Sequence, residues 1–195
     1  MSPRSLLLAA AALTAVPTAS AQTTFGLRAG LNVADVTGDE IPGSEPRLGF
    51  TGGLFADIAV TPSFSIVPEV SYTQKGVSNE DDADNGHRVD YVEIPVLVKY
   101  TVPVTETGLM FGAYAGPALA FKINEEVDTD VVDVDTDFFR QTDIGAAFGV
   151  TVGAGPFAVD GRYTLGLQRA TEEDSTPVDV RHGVFSIAGT YTFGR

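Results

Sequence analysis

The chain has 195 residues, a formal charge of −14, 21 glycines, no cysteine and no tryptophan. Its length suits one domain plus a processed segment, and the lack of cysteine excludes disulfides, thiolate metal sites and cysteine nucleophiles. A balance of 26 acidic against 12 basic residues argues against nucleic acid as a partner, while 44% apolar content excludes a disordered acidic tail.

Residues 1–21 read as a secretory signal peptide. Arg4 supplies the positive charge, Leu6 to Val16 is an apolar stretch too short to span a bilayer, and Ala19-Ser20-Ala21 is a small-x-small cleavage site. The mature, exported domain is expected to occupy residues 22–195. No later segment approaches the run of about 20 apolar residues that a membrane helix needs.

From Thr24 the pattern has period 2, which predicts strands with two chemically different faces. Phe25, Leu27, Leu31 and Val33 alternate with Arg28 and Asn32. Leu48, Phe50, Leu54, Ile58 and Val60 then alternate with Thr51, Gly53 and Asp57. Phe64, Ile66, Val70 and Tyr72 stand against Ser65, Glu69, Thr73 and Lys75. Val92, Ile94, Val96, Val98 and Tyr100 oppose Glu93 and Lys99. Phe111, Leu119 and Phe121 oppose Tyr114 and Lys122, and Ile144, Phe148, Val150 and Val152 oppose Asp143 and Thr151. Phe157, Val159, Tyr163 and Leu165 alternate with Asp160 and Arg162, and Phe185, Ile187, Tyr191 and Phe193 with Ser186 and Thr190. Eight such segments predict an all-β, up-and-down antiparallel barrel.

Alternation does not say which face is inside. A soluble sandwich or lipocalin-like barrel buries its apolar face, whereas an outer-membrane barrel turns it to lipid. Three features favour the membrane. The polar face is mostly Gly, Ala, Ser and Thr, which suits a crowded lumen. Aromatics on the apolar face sit near strand ends, as an interfacial girdle requires. The connections alternate in length: 35–46, 76–88, 124–140 and 170–181 read as long polar loops, and 61–63, 103–108 and 153–156 as short turns. This places the N-terminus in the periplasm and the long loops outside the cell.

Those loops carry most of the 26 acids. The lumen parity instead balances Arg28, Lys75, Lys99, Lys122 and Arg162 with Asp57, Glu69, Glu93, Asp143 and Asp160, as buried charges persist when paired. The strand directions put Arg28, Asp57, Glu69, Lys99, Asp160 and Arg162 low in the barrel. Lys75, Glu93, Lys122 and Asp143 lie near the outer mouth. Glu69 with Lys99, and Lys75 with Glu93, are the expected contacts between the third and fourth strands.

Two of these strands carry a resemblance. Pro68-Glu69-Val70-Ser71-Tyr72-Thr73-Gln74-Lys75-Gly76 and Tyr91-Val92-Glu93-Ile94-Pro95-Val96-Leu97-Val98-Lys99-Tyr100 are similar to the "PE-x-x-Y-x-QKG" and "Y-x-E-I-P-…-K-Y" strands of the PorT-type outer-membrane barrels. Tyr114-Ala115-Gly116-Pro117 and Asp160-Gly161-Arg162-Tyr163-Thr164-Leu165-Gly166-Leu167 fit later strands of that porin-like family. The resemblance implies an eight-stranded barrel in the outer membrane of a Bacteroidota-like bacterium. It implies no single activity, since the family name comes from a member linked to secretion and gliding. The C-terminal Gly194-Arg195 departs from the terminal aromatic common in such barrels.

Catalytic chemistry is thin. His87 and His182 find no Ser and acid at a spacing that selects a trio. The run Asp128-Thr129-Asp130-Val131-Val132-Asp133-Val134-Asp135-Thr136-Asp137 offers oxygen ligands for weak divalent cation binding, but it lacks the glycine and terminal glutamate of an EF-hand loop. Gly26 and Gly30 precede no helix and form no phosphate loop. The expected role is structural or interactive: a small outer-membrane protein, bathed in lipid, without cofactor, meeting surface or envelope proteins through acidic loops. A narrow channel or transport component is the alternative, and an enzyme the third.

Overall fold

Strands with one apolar and one small, polar face are stable as a closed ring, because closure leaves no edge unpaired. The computed structural model describes residues 22–37, 44–79, 82–104, 106, 108–127, 142–167 and 181–194; the segment 1–21 assigned to the signal peptide lies outside them. Eight strands follow in order: β1 (Thr23–Thr37), β2 (Ser44–Ala59), β3 (Phe64–Asn79), β4 (Asp82–Val104), β5 (Leu109–Val127), β6 (Thr142–Ala154), β7 (Phe157–Gly166) and β8 (Arg181–Thr192). Each pairs antiparallel with its neighbour, and β1 closes the barrel on β8 from Gly26 opposite Thr192 to Thr37 opposite Arg181. This is the all-β, eight-stranded antiparallel barrel predicted from the alternation.

The apolar faces point outward. Leu31, Leu54, Val98, Val150 and Ile187 are each more than half exposed, and such a continuous band far exceeds the apolar patch a water-soluble monomer tolerates. At the short-turn end the band finishes in ring contacts, Phe64 with Tyr100 at 4.8 Å and Phe157 with Tyr191 at 5.1 Å. Amphipathic rings at one level are what a hydrocarbon–water boundary selects.

The segment 76–88 corrects the sequence reading. It is not a long loop: β3 continues to Asn79 and β4 starts at Asp82, with Gly76 opposite Arg88 and Val77 opposite His87. A backbone ladder needs no particular side chains, so a hairpin standing clear of the apolar band carries loop-like composition without ceasing to be a sheet. β1 likewise runs into the segment 35–46, and β5 into 124–140.

Of three register shifts at the far end, two shape the wall. Between Pro46 and Thr51 the β2–β3 register shifts, where Pro46 has no N–H to donate. There Asn32 on β1 reaches past β2 to donate to the Gln74 carbonyl at 2.9 Å. The passage exists because Gly49 lies beneath it: a β-carbon on Gly49 would overlap the Asn32 side-chain oxygen. The Gln74 side chain returns the contact by accepting from the Phe50 N–H at 3.1 Å. Between β4 and β5, Asp90 faces Asn124 and Tyr91 faces Lys122, so Ile123 is a bulged residue. After it, Asn124 falls on the outer wall.

The inside is packed. Val67, Leu97, Tyr114, Ala118 and Ala147 form a small core that Phe55 joins, and Val89, Tyr91 and Ala120 form another nearer the long-loop end.

Candidate functional site

The lumen brings charged and polar side chains from five strands into contact, because inward positions of a narrow barrel have only one another for neighbours. Arg28 on β1 donates from Nε to Asp160 Oδ1 at 2.8 Å and from Nη2 to Ser186 Oγ at 2.7 Å. The other Asp160 oxygen accepts from the Tyr114 hydroxyl at 2.7 Å. Tyr114 in turn accepts from Arg162 Nε at 3.0 Å. Arg162 completes a two-pronged pair with Glu69 across the lumen, at 3.0 and 2.8 Å. All five groups are buried. The cluster holds two cations and two anions, bridged by a phenol, and every charge faces an opposite one.

This arrangement depends on a missing side chain. Gly149 on β6 stands opposite Tyr114 on one flank and Arg162 on the other. A β-carbon there would overlap the Tyr114 hydroxyl and the Gly161 carbonyl. Glycine therefore opens the space in which phenol and guanidinium meet.

Nearer the long loops, Lys75 Nζ lies 2.7 Å from Glu93 and 3.9 Å from Asp143, and 4.8 Å from the centre of the Tyr91 ring. Lys122 is half-buried one row away, opposite Tyr91. Nearer the short turns, Lys99 pairs with Asp57. Lys75 thus meets Glu93, as the sequence suggested. The expected Glu69–Lys99 contact is not made, and this is a correction. The register sets Lys99 opposite Ser65, four residues below Glu69. Lys99 accordingly reaches past β3 to Asp57, and Glu69 meets Arg162.

Below the five-membered cluster lies a cavity of about 80 Å³, reaching to Gly155 and Pro156 in the β6–β7 turn. Its wall includes Arg28, Asp57, Glu69, Lys99, Asp160 and Arg162, the six charges expected low in the barrel. It has room for several water molecules. The paired ions of the cluster thus line the upper end of this cavity.

The alternation predicts Tyr114 on the lumen face but not its place between Asp160 and Arg162, and it does not single out Phe55, Val67 and Leu97 as interior residues. His87 and His182 have strand backbones, but their side chains lie outside the described residues, as does the run Asp128–Asp137. Among the described residues no group of three or more His, Asp or Glu is arranged to hold a metal ion.

Residues 19–172 match the family described as "Outer membrane protein beta-barrel domain". Among solved structures, the chain is similar to Neisserial surface protein A (NspA) at 16% identity, covering 88% of this chain and 99% of that one with a TM-score of 0.54. It is also similar to the outer membrane protein OprG from Pseudomonas aeruginosa at 12% identity, covering 90% and 98% with a TM-score of 0.51. At such identities the likeness is one of fold. Comparison with curated protein sequences gives no match.

Proposed function

The chain belongs to the outer membrane protein beta-barrel domain family, and on that premise we propose that it is a non-enzymatic surface protein that acts through its acidic loops. The observation that carries this reading is the ion-paired cluster across the lumen, which leaves the loop end as the working surface. In this proposal residues 1–21 are cleaved on export, the N-terminus stays in the periplasm, and the loops bind envelope or surface proteins. The acid-rich loop segments draw divalent cations weakly, by general charge attraction.

A second reading, a part in envelope transport or secretion, is favoured by the PorT-like strands. In this fold Glu69, Lys75, Glu93 and Lys99 of those motifs are ion-pair members of the lumen. A barrel of this width needs such pairs in any case, so the motifs support the architecture more than they support secretion.

Planar-bilayer recording tests the choice. The pure protein is expected to show negligible steady conductance, and a stable, ion-selective open level would establish the channel reading instead. Orientation is tested separately, because the chain has no native cysteine. A Ser175→Cys variant is expected to react with an impermeant maleimide on intact cells, and a Ser63→Cys variant, in the β2–β3 turn, only after the outer membrane is opened. The reverse pattern would invert the barrel.

A further inference from the structure

Gln22 follows directly on the small-x-small site Ala19-Ser20-Ala21 and stands at the short-turn mouth, one residue before β1. It is exposed. Its hold on the barrel runs through the main chain. The Gln22 carbonyl accepts from the Ala59 N–H at 3.3 Å, continuing the ladder in which Thr23 faces Ile58. On the other flank of β1 the Phe25 carbonyl accepts from the Phe193 N–H at 2.7 Å. The β1–β8 seam begins one residue later, with Gly26 opposite Thr192. Only Gln22, Thr23 and Thr24 therefore lie between the cleavage site and the strand contact that closes the barrel.

Cleavage after Ala21, the reading on which this inference rests, turns the Gln22 nitrogen into an α-amine on the same residue as a carboxamide. An α-amine gives up its proton far more readily than a lysine ammonium, so near neutrality a share of it is nucleophilic. The amine and the carboxamide carbon can meet in a five-membered ring, and such an intramolecular approach needs a bond rotation in place of a collision. We propose that Gln22 is a modification site, closed in the mature protein to a pyroglutamyl lactam. The amine nitrogen bonds to Cδ, the Cδ–Nε2 bond breaks, and a proton of the amine leaves with Nε2 as ammonia. Neither an oxidant nor water is consumed. The fold accommodates the ring, because the Gln22 side chain is exposed and the carbonyl that anchors it to Ala59 is not a reacting atom. Closure removes an ammonium from the edge of the apolar band, where Phe25 is 61% exposed and charge is poorly accommodated. It also blocks the chain end, where proteolysis concentrates, before trimming can reach Phe25 and the seam.

The test uses the full protein, exported with its own N-terminal segment and recovered from membranes. Free amines are dimethylated at lysis, so that ring closure during handling is not counted. Mass spectrometry then reads the tryptic peptide Gln22–Arg28. Most copies are expected to be unlabelled and lighter than the plain sequence by one ammonia. Dimethylated Gln22 in most copies would overturn the proposal and leave the cleavage reading standing. A peptide that begins at another residue would overturn both. A second measurement exposes reconstituted barrels, shown to be folded by their heat-modifiable gel shift, to a broad-specificity aminopeptidase. The wild type is expected to stay intact and Gln22→Ala to lose residues ahead of Phe25. Equal trimming of the two would overturn the ring, and equal resistance would overturn its protective role.

Discussion

Replacing Glu69 with alanine is expected to lower the unfolding free energy of the reconstituted barrel by roughly 3–5 kcal/mol. Glu69 accepts from both terminal nitrogens of Arg162, at 3.0 and 2.8 Å. Both side chains are buried, at 1% and 7% exposure. Without the carboxylate, Arg162 is left buried opposite only the more distant Asp160 at 3.9 Å, and removing one partner of a buried pair costs far more than the pair itself is worth. Urea midpoints in lipid vesicles provide the measurement. Glu106→Ala, an exposed change in the β4–β5 turn, is expected to stay within about 0.5 kcal/mol of wild type. Replacing both Glu69 and Arg162 with methionine should recover much of the loss, because the paired apolar exchange leaves no stranded charge. A Glu69→Ala barrel as stable as wild type would mean that the lumen is wet enough to solvate Arg162.

The Gly149→Ala substitution is expected to cost about 3 kcal/mol or more, combining overpacking with the loss of charge-assisted hydrogen bonds. One added methyl collides with the Tyr114 hydroxyl on one side and the Gly161 carbonyl on the other. The phenol is forced off Asp160 and Arg162, so a side chain that carries no charge dismantles a cluster of four charges. The control lies one strand away. Gly161 faces outward with nothing near its missing β-carbon, and Gly161→Ala is expected to fall within about 0.5 kcal/mol of wild type. Equal effects at the two glycines would point to backbone flexibility, not to the space beneath Tyr114.

The barrel was legible because period 2 persists through all eight strands, and the outward residues Leu27 to Val33 or Phe185 to Phe193 report it directly. The interior was harder to read. Ile94-Pro95-Val96-Leu97-Val98 is continuously apolar, so its inward members Pro95 and Leu97 vanish into the run. Loop-like composition concealed the β3–β4 hairpin, where Gly76, Ser78 and Asn79 still form a ladder. Which ions pair depends on distant registers: Glu69 and Arg162 are 93 residues apart, and no local spacing encodes that. Asn124 was invisible for another reason. A single bulged residue reverses the parity after it, and nothing in the letters Lys122-Ile123-Asn124 announces the bulge.

The closing seam between β1 and β8 has a kinetic consequence. Seven of the eight strand pairs join neighbours in the chain and can form as hairpins in sequence. The eighth must bring Gly26 to Thr192, a meeting that costs roughly 4–5 kcal/mol of chain entropy in the flexible unfolded chain and becomes easier as the seven hairpins form. Every other pairing can precede that meeting, and an assembly that closes last passes through a curled sheet with two bare edges, β1 and β8. Until they join, Arg28 lacks Ser186 and each edge offers a template for a foreign strand. Whatever inserts this protein must therefore shield both edges at once, and a chain cut short within β8 would remain an adhesive open sheet.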